Sequence, residues 1–189
     1  MITAHPGEFQ DRRIRRTRRA IRQALETLLQ AGAIEQITIK EIAAEADIGY
    51  TTFFRHFPTK EAALAELADS EAAELIEHCF PLLRSTDSRA ACLALCNHVE
   101  TKRRVWTALL TGGAAGVVRE ALVGYTLARA SDWPRSQAWL PADHGTPLVI
   151  GLIVEVLSWW LTRATKLSPG QVAEIMDRTF ITELLRNAG

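Results

Sequence analysis

The chain predicts an all-α fold, and three observations carry that prediction. Most segments repeat apolar residues every three or four positions, and few alternate with period two. Helix-start signals recur in register with those stripes. The composition, 48% hydrophobic and 23% charged in 189 residues, suits a soluble globular protein with a sizeable core.

The elements follow in order. A first helix carries the apolar side Ile14, Ile21, Leu25, Leu28 and Leu29. Its other face is basic: Arg12, Arg13, Arg15, Arg16, Arg18, Arg19 and Arg22 stand in residues 12–22 with no acid among them. Such a run attracts phosphate backbones through counterion release, or is a solvated helix face. Residues 61–99 carry seven acids against two arginines, so a zero net charge hides an uneven distribution.

Residues 38–60 are the densest part. Thr38 and Glu41 form a T-x-x-E capping box, with Ile37 and Ile42 placed as a hydrophobic staple. Ile39, Ile42, Ala43 and Ala46 then give a helical stripe. Asp47 and Gly49 around Ile48 suit a tight turn, because aspartate tolerates and glycine adopts the left-handed region. A second short helix, 50–57, puts Phe53 and Phe57 on one inward face. Pro58 ends it, and Thr59 caps the next helix with Glu61 in its first turn. Two short helices, a sharp turn and a polar outer face form a helix-turn-helix that reads DNA.

Residues of about 14–62 resemble the DNA-binding domain of the TetR family of bacterial regulators. Thr38, Ile42, Ala43, Ala46, Phe53, His56, Phe57, Lys60 and Glu61 meet its pattern. Three positions depart from it: Asp47 stands for the usual Gly, Gly49 for a Ser cap, and Phe54 for a Tyr whose hydroxyl contacts a phosphate. Thr38, Lys40, His56 and Lys60 are then expected at the DNA backbone, and Phe54 is expected at the DNA without the hydroxyl of the usual phosphate contact. Gly49, Tyr50, Thr51 and Thr52 are expected at the groove, where threonine can bond a base edge or press its methyl on a thymine.

Further helices are expected at 60–83, 87–110, 114–131, 147–165 and 169–187. Thr146-Pro147 reads as a cap followed by proline at the first helical position. Ser168-Pro169-Gly170-Gln171 repeats the device as a capping box, with Leu167 and Val172 as a staple. The 147–165 helix is apolar nearly all round, apart from a strip of Gly151, Glu155, Ser158 and Thr162. Helices of that kind are buried on more than one side. The resemblance implies that the last two helices build a four-helix dimer interface, here Gly151, Glu155, Trp159, Trp160, Ile175 and Phe180, in an Ω-shaped homodimer; burial within one chain's core is the alternative.

The expected organisation is residues 1–10 flexible, 11–60 a DNA-binding domain, and 61–189 a C-terminal helical bundle for ligand sensing and dimerisation. The resemblance implies a small-molecule effector bound in that bundle. His98, Trp106, Leu110, Tyr125, Trp133 and Trp139 suit an apolar pocket, with Leu109 and Cys96 beside them. The irregular stretch 131–145 could serve as a lid.

Other chemistry is weakly supported. Cys92 and Cys96 lie four apart near His98 without a second ligand pair, so core cysteines are expected rather than a metal site. The segment 111–116 is glycine-rich but has no phosphate-loop Lys-Ser/Thr and follows no strand, and reads as a break between helices. No catalytic constellation stands out, and no cofactor or metal is expected. No signal sequence is recognised, and the longest apolar stretch, 148–157, contains Glu155 and is too short to span a membrane. The cytoplasm is the expected location. The function expected is a ligand-relieved repressor that binds a palindromic operator as a dimer. The alternative is a protein of the same architecture that acts through protein contacts, with DNA as a tether.

Overall fold

A computed structural model describes residues 6–83, 87–129, 141–164 and 166–181. Every regular element among them is helical: α1 Pro6–Ala31, α2 Ile39–Glu45, α3 Tyr50–His56, α4 Lys60–Leu83, α5 Ser88–Thr101, α6 Arg103–Thr111, α7 Ala115–Ala128, α8 Ala142–Thr162 and α9 Pro169–Met176. The ladder widens after α9 into a π-helical turn, Asp177–Ile181. The chain divides into two units, Met1–Leu67 and Ala68–Gly189, with the division inside α4. That division falls seven residues beyond the expected one at residue 60.

In the first unit, α1, α2 and α3 pack on one another around Ile21, Leu25, Leu29, Ile42, Phe53 and Phe57, all essentially without solvent contact. In the second, α5 packs on α9, and α8 lies against α6 and α7. Trp106 and Trp160 fill that core, and the Trp160 indole N–H donates to Leu167 O at 2.9 Å.

Three expectations change. The segment 87–110 is not one helix: at Lys102 the backbone leaves helical geometry (φ −116°, ψ 35°), separating α5 from α6. Its ammonium is held by Glu71 Oε1 at 2.9 Å and Glu74 Oε2 at 3.0 Å, a long-range anchor that local pattern does not contain. Next, α8 starts at Ala142 rather than at Pro147, with His144 and Gly145 N–H both donating to Pro141 O. Pro147 thus sits inside the helix, near its beginning, where a missing N–H forfeits one bond only. Finally, the extra turn makes Asp143–Thr162 a 20-residue helix that is long and apolar enough to cross a membrane by length and composition. This corrects the reading of that segment as too short. Only 22% of its most apolar stretch is fully buried within the chain, and Leu148 and Trp159 are exposed.

The glycine-rich break is as expected. Helix α6 ends at Thr111 and α7 begins at Ala115, with Gly113 at φ +87° making the left-handed turn between them.

Candidate nucleic-acid interface

The start of α2 is fixed by its own side chains. Thr38 Oγ1 accepts from Glu41 N–H at 3.3 Å, while Glu41 Oε2 accepts from Thr38 N–H at 2.8 Å. The Thr38 hydroxyl also donates to that carboxylate at 2.8 Å. Hydrogen bonds from Thr38 hold the Glu41 carboxyl below its usual pKa. Both lone-pair and proton of Thr38 are therefore engaged in the cap, while Lys40 beside it is exposed.

The turn is a helix C-terminal motif with aspartate in the glycine role. Asp47 adopts φ +52°, its N–H donating to Ala44 O at 3.1 Å, while Ile48 N–H reaches back to Ala43 O at 3.0 Å. This paired closure satisfies the last carbonyls of α2 and needs one left-handed residue. Aspartate takes it at modest cost. Gly49, by contrast, is extended (φ −68°, ψ 145°), and a Cβ there would meet Thr52 Oγ1 at an ordinary 3.5 Å. Glycine is not sterically required at this position; its effect is to leave α3 without a side-chain cap.

Helix α3 divides cleanly. Phe53 and Phe57 are buried, and Tyr50, Thr51, Phe54 and Arg55 are exposed on the other side. Thr52 and His56 are half-buried. Tyr50 and Phe54 meet edge-to-face at 5.2 Å, although each is more than two-fifths exposed (48% and 43%).

Positive charge surrounds this face. Arg12, Arg13, Arg15, Arg16 and Arg19 are exposed on α1. Arg18 and Arg22 are instead drawn to Glu66, with Arg18 Nε donating to Oε2 at 2.7 Å. The Arg18 guanidinium also lies 4.8 Å over the Phe57 ring. Burial first, then Arg18, with Arg13 and Arg55 adding to it, lowers the His56 pKa, against an opposing pull from Glu66. Burial is thus the main reason that His56 resists a further proton, and the nearby arginines add to it. Lys60 has an internal role: its ammonium donates to Ile34 O at 2.7 Å and Ile37 O at 3.0 Å, fastening the loop that leads into α2. Glu66, which organises two of the arginines, had no local signal in the sequence.

In the second unit, Trp106 is fully enclosed and Leu109 and Leu110 are buried. His98 is half-buried, with its ring 6.3 Å from Trp106 and 5.6 Å from His78. Burial lowers the His98 pKa most. His98 Nε2, Trp106 Nε1 and Thr126 Oγ1 are buried with no hydrogen-bond partner among the described residues. Tyr125 stands apart from this feature in its bonding, its hydroxyl donating to Asp69 Oδ2 at 3.1 Å. Trp133 and Trp139 lie outside the described residues. Glu71 and Thr126 were missed from sequence, yet periodicity marks both: Leu67, Glu71 and Leu75 share a stripe, as do Val118, Leu122 and Thr126.

Of the residues expected at a dimer interface, Glu155 and Trp159 are exposed and Ile175 is half-buried. Trp160 is fully buried within its own chain. Gly151 lies under the Arg119 guanidinium, 3.4 Å from where a Cβ would stand. Phe180 falls in the π-helical turn, its side chain outside the described residues. No group of three or more potential metal ligands occurs among the described residues.

A capped helix, a left-handed turn and a second helix with an exposed face in a cationic field define a helix-turn-helix domain of the DNA-binding kind. The family model described as bacterial regulatory proteins, tetR family, matches residues 21–67, about a quarter of the chain. The chain is 36% identical over 81 residues to the uncharacterized HTH-type transcriptional regulator YxbF of Bacillus subtilis, covering 40% of this chain and 21% of that protein. It is 46% identical over 57 residues to the HTH-type transcriptional regulator TcmR of Streptomyces glaucescens, covering 30% and 24%. The matches thus span about a quarter or less of those curated relatives. Among solved structures, a TetR transcriptional regulator from Rhodococcus sp. RHA1 aligns with TM-score 0.65 and 16% identity, covering 87% of this chain and 92% of that one. Thermus thermophilus FadR, a TetR-family repressor in complex with lauroyl-CoA, aligns with TM-score 0.62 and 18% identity, covering 91% and 95%. At these identities the likeness establishes the all-α fold of TetR regulators.

Proposed function

We propose that this chain is a sequence-specific, dimeric DNA-binding repressor whose affinity for its operator is lowered by a small, largely apolar effector. The observation that carries the reading is the exposed face of α3, Tyr50, Thr51, Phe54 and Arg55, presented between a closed turn and exposed arginines. Arginines supply affinity through the phosphates, and the outer face of α3 supplies discrimination in the major groove. Thr38, Lys40, Gly49, Thr52 and His56 belong at the rim of that contact, with Lys60 shaping it from behind.

The uncovered apolar surface of α8 supports dimerisation. Leu148 and Trp159 are 43% and 38% exposed, on a helix that would otherwise leave a large apolar area in water. A twofold dimer of this kind reads two half-sites about one duplex turn apart, roughly 34–36 Å, and so demands a near-palindrome. The buried polar atoms of His98 and Trp106, whose rings lie 6.3 Å apart, support an effector that enters this core and bonds to them. FadR, crystallised with lauroyl-CoA, gives an example in a related fold of a ligand that carries an apolar acyl chain. To relieve repression, the effector must bind the DNA-incompetent conformation more tightly.

Selection of the purified protein against a randomised duplex pool at near-physiological salt tests the reading. Enrichment of one palindrome is expected. Salt-sensitive retention without a motif would favour a tether that acts through protein contacts, and no retention would end the DNA reading. Sedimentation at micromolar concentration should give a dimer. A monomer that partitions into lipid vesicles would assign α8 to a membrane instead.

A further inference from the structure

We infer that Phe54, braced by Tyr50, reads the 5-methyl group of a thymine in each half-site. The inference rests on the DNA-binding function proposed above and adds a specificity to it.

Phe54 lies on the outer face of α3, 43% exposed, with its ring held edge-on by Tyr50 at 5.2 Å and by Phe53 at 5.6 Å. Phe53 is buried, so the Phe54 ring has one aromatic neighbour in the core and one at the surface. A phenyl ring has neither donor nor acceptor, so it cannot bond to a phosphate or to the polar edge of a base. The exposed cations Lys40 and Arg55 and the arginines of α1 direct this face toward a polyanion. In the major groove of that polyanion, one apolar group projects from the base edges: the C5-methyl of thymine. A rigid apolar ring on a groove-facing helix therefore has one base-edge partner that it favours over water. Tyr50 keeps its hydroxyl for polar contacts, while its ring limits the rotation of Phe54.

The magnitude follows from apolar transfer. Burying one methyl is worth roughly a fourfold change in affinity, so two half-sites together give roughly fifteenfold.

The test uses the full chain and the palindrome enriched from the randomised pool, as a labelled duplex. One copy carries thymine and a second carries deoxyuridine at the contacted positions, which removes the methyl and nothing else. Wild type should bind the deoxyuridine duplex about fifteenfold more weakly, and Phe54→Ala should bind both duplexes alike. Phe54→Leu, which keeps an apolar side chain, should retain part of the penalty and guards against misfolding of the alanine variant. An enriched palindrome bound equally with thymine or deoxyuridine overturns the inference but leaves the DNA-binding function standing. A penalty that persists undiminished in folded Phe54→Ala assigns the methyl to another residue and overturns it too. If no palindrome is enriched, the proposed function fails first and the inference fails with it.

Discussion

One lysine in the second unit faces two carboxylates at nearly equal distance, and burial alone should separate what they contribute. Lys102 Nζ lies 2.9 Å from Glu71 and 3.0 Å from Glu74, but their side chains are 3% and 56% exposed. Coulomb attraction at 2.9 Å is about 6 kcal/mol at an effective dielectric near 20, and falls to about 1 kcal/mol where water screens the pair. Removing one partner of a buried pair costs roughly 3–5 kcal/mol, because the remaining charge loses its compensation. The Lys102 side chain keeps 22% exposure, which argues for the lower end of that range. Lys102→Met should therefore destabilise the second unit by about 3 kcal/mol, and Glu74→Ala by less than about 1 kcal/mol. Glu71→Leu combined with Lys102→Met should recover much of the loss, since a buried pair replaced by apolar side chains is often neutral. Urea denaturation followed by tryptophan fluorescence reads this unit selectively, because all five tryptophans fall within 106–160. With a slope of about 2 kcal/mol per molar, the Lys102→Met midpoint should drop by about 1.5 M. Equal costs for Lys102→Met and Glu74→Ala would refute the argument from burial.

Three further outcomes are expected. Gly49→Ser should stabilise the first unit by about 1 kcal/mol, through a new cap on α3 and a less flexible unfolded chain; exchange of the α3 amides should slow about fivefold, and unchanged exchange would mean that the serine makes no cap. His56, whose folded-state pKa is lowered chiefly by burial, favours its neutral form on folding, so its contribution to stability is present above the unfolded value near 6.5 and is lost as pH falls. A nearby phosphate reverses that preference, so DNA affinity measured by anisotropy should rise as pH drops from 8 toward 6, and His56→Gln should flatten the rise. Burial pushes the thiols of Cys79, Cys92 and Cys96 up to about 11, 12 and 12; a disulfide reagent at pH 8 should label none of them quickly in native protein and all three after denaturation.

The local contacts of α2 and α3 show why the first unit was legible from sequence. The cap between Thr38 and Glu41, the left-handed Asp47 and the inward pair Phe53 and Phe57 involve residues within four positions of their partners. Backbone hydrogen bonds and helical periodicity act over that range, so local pattern contains them. The glycine-rich break before α7 and the capping box of α9 were readable for the same reason.

What only the tertiary structure decided involves partners far apart in the chain. Lys102 interrupts a stretch of continuous helical pattern, and carboxylates 28 and 31 residues away hold its ammonium. Lys60, which the family pattern places toward DNA, spends its charge on two carbonyls more than twenty residues earlier. Glu66 gathers two of the seven arginines of α1, and so decides which of them remain outward for a polyanion. Trp160, expected at a subunit contact, is enclosed within its own chain, while Trp159 beside it remains partly in solvent. The amino-acid sequence by itself determined where α2, α3 and α9 begin, that Phe53 and Phe57 turn inward and how the turn between α2 and α3 closes, because each depends on neighbours along the chain. The assignment of individual charges and aromatics to core, loop or surface required distant segments to meet, and one-dimensional periodicity holds no record of those distances.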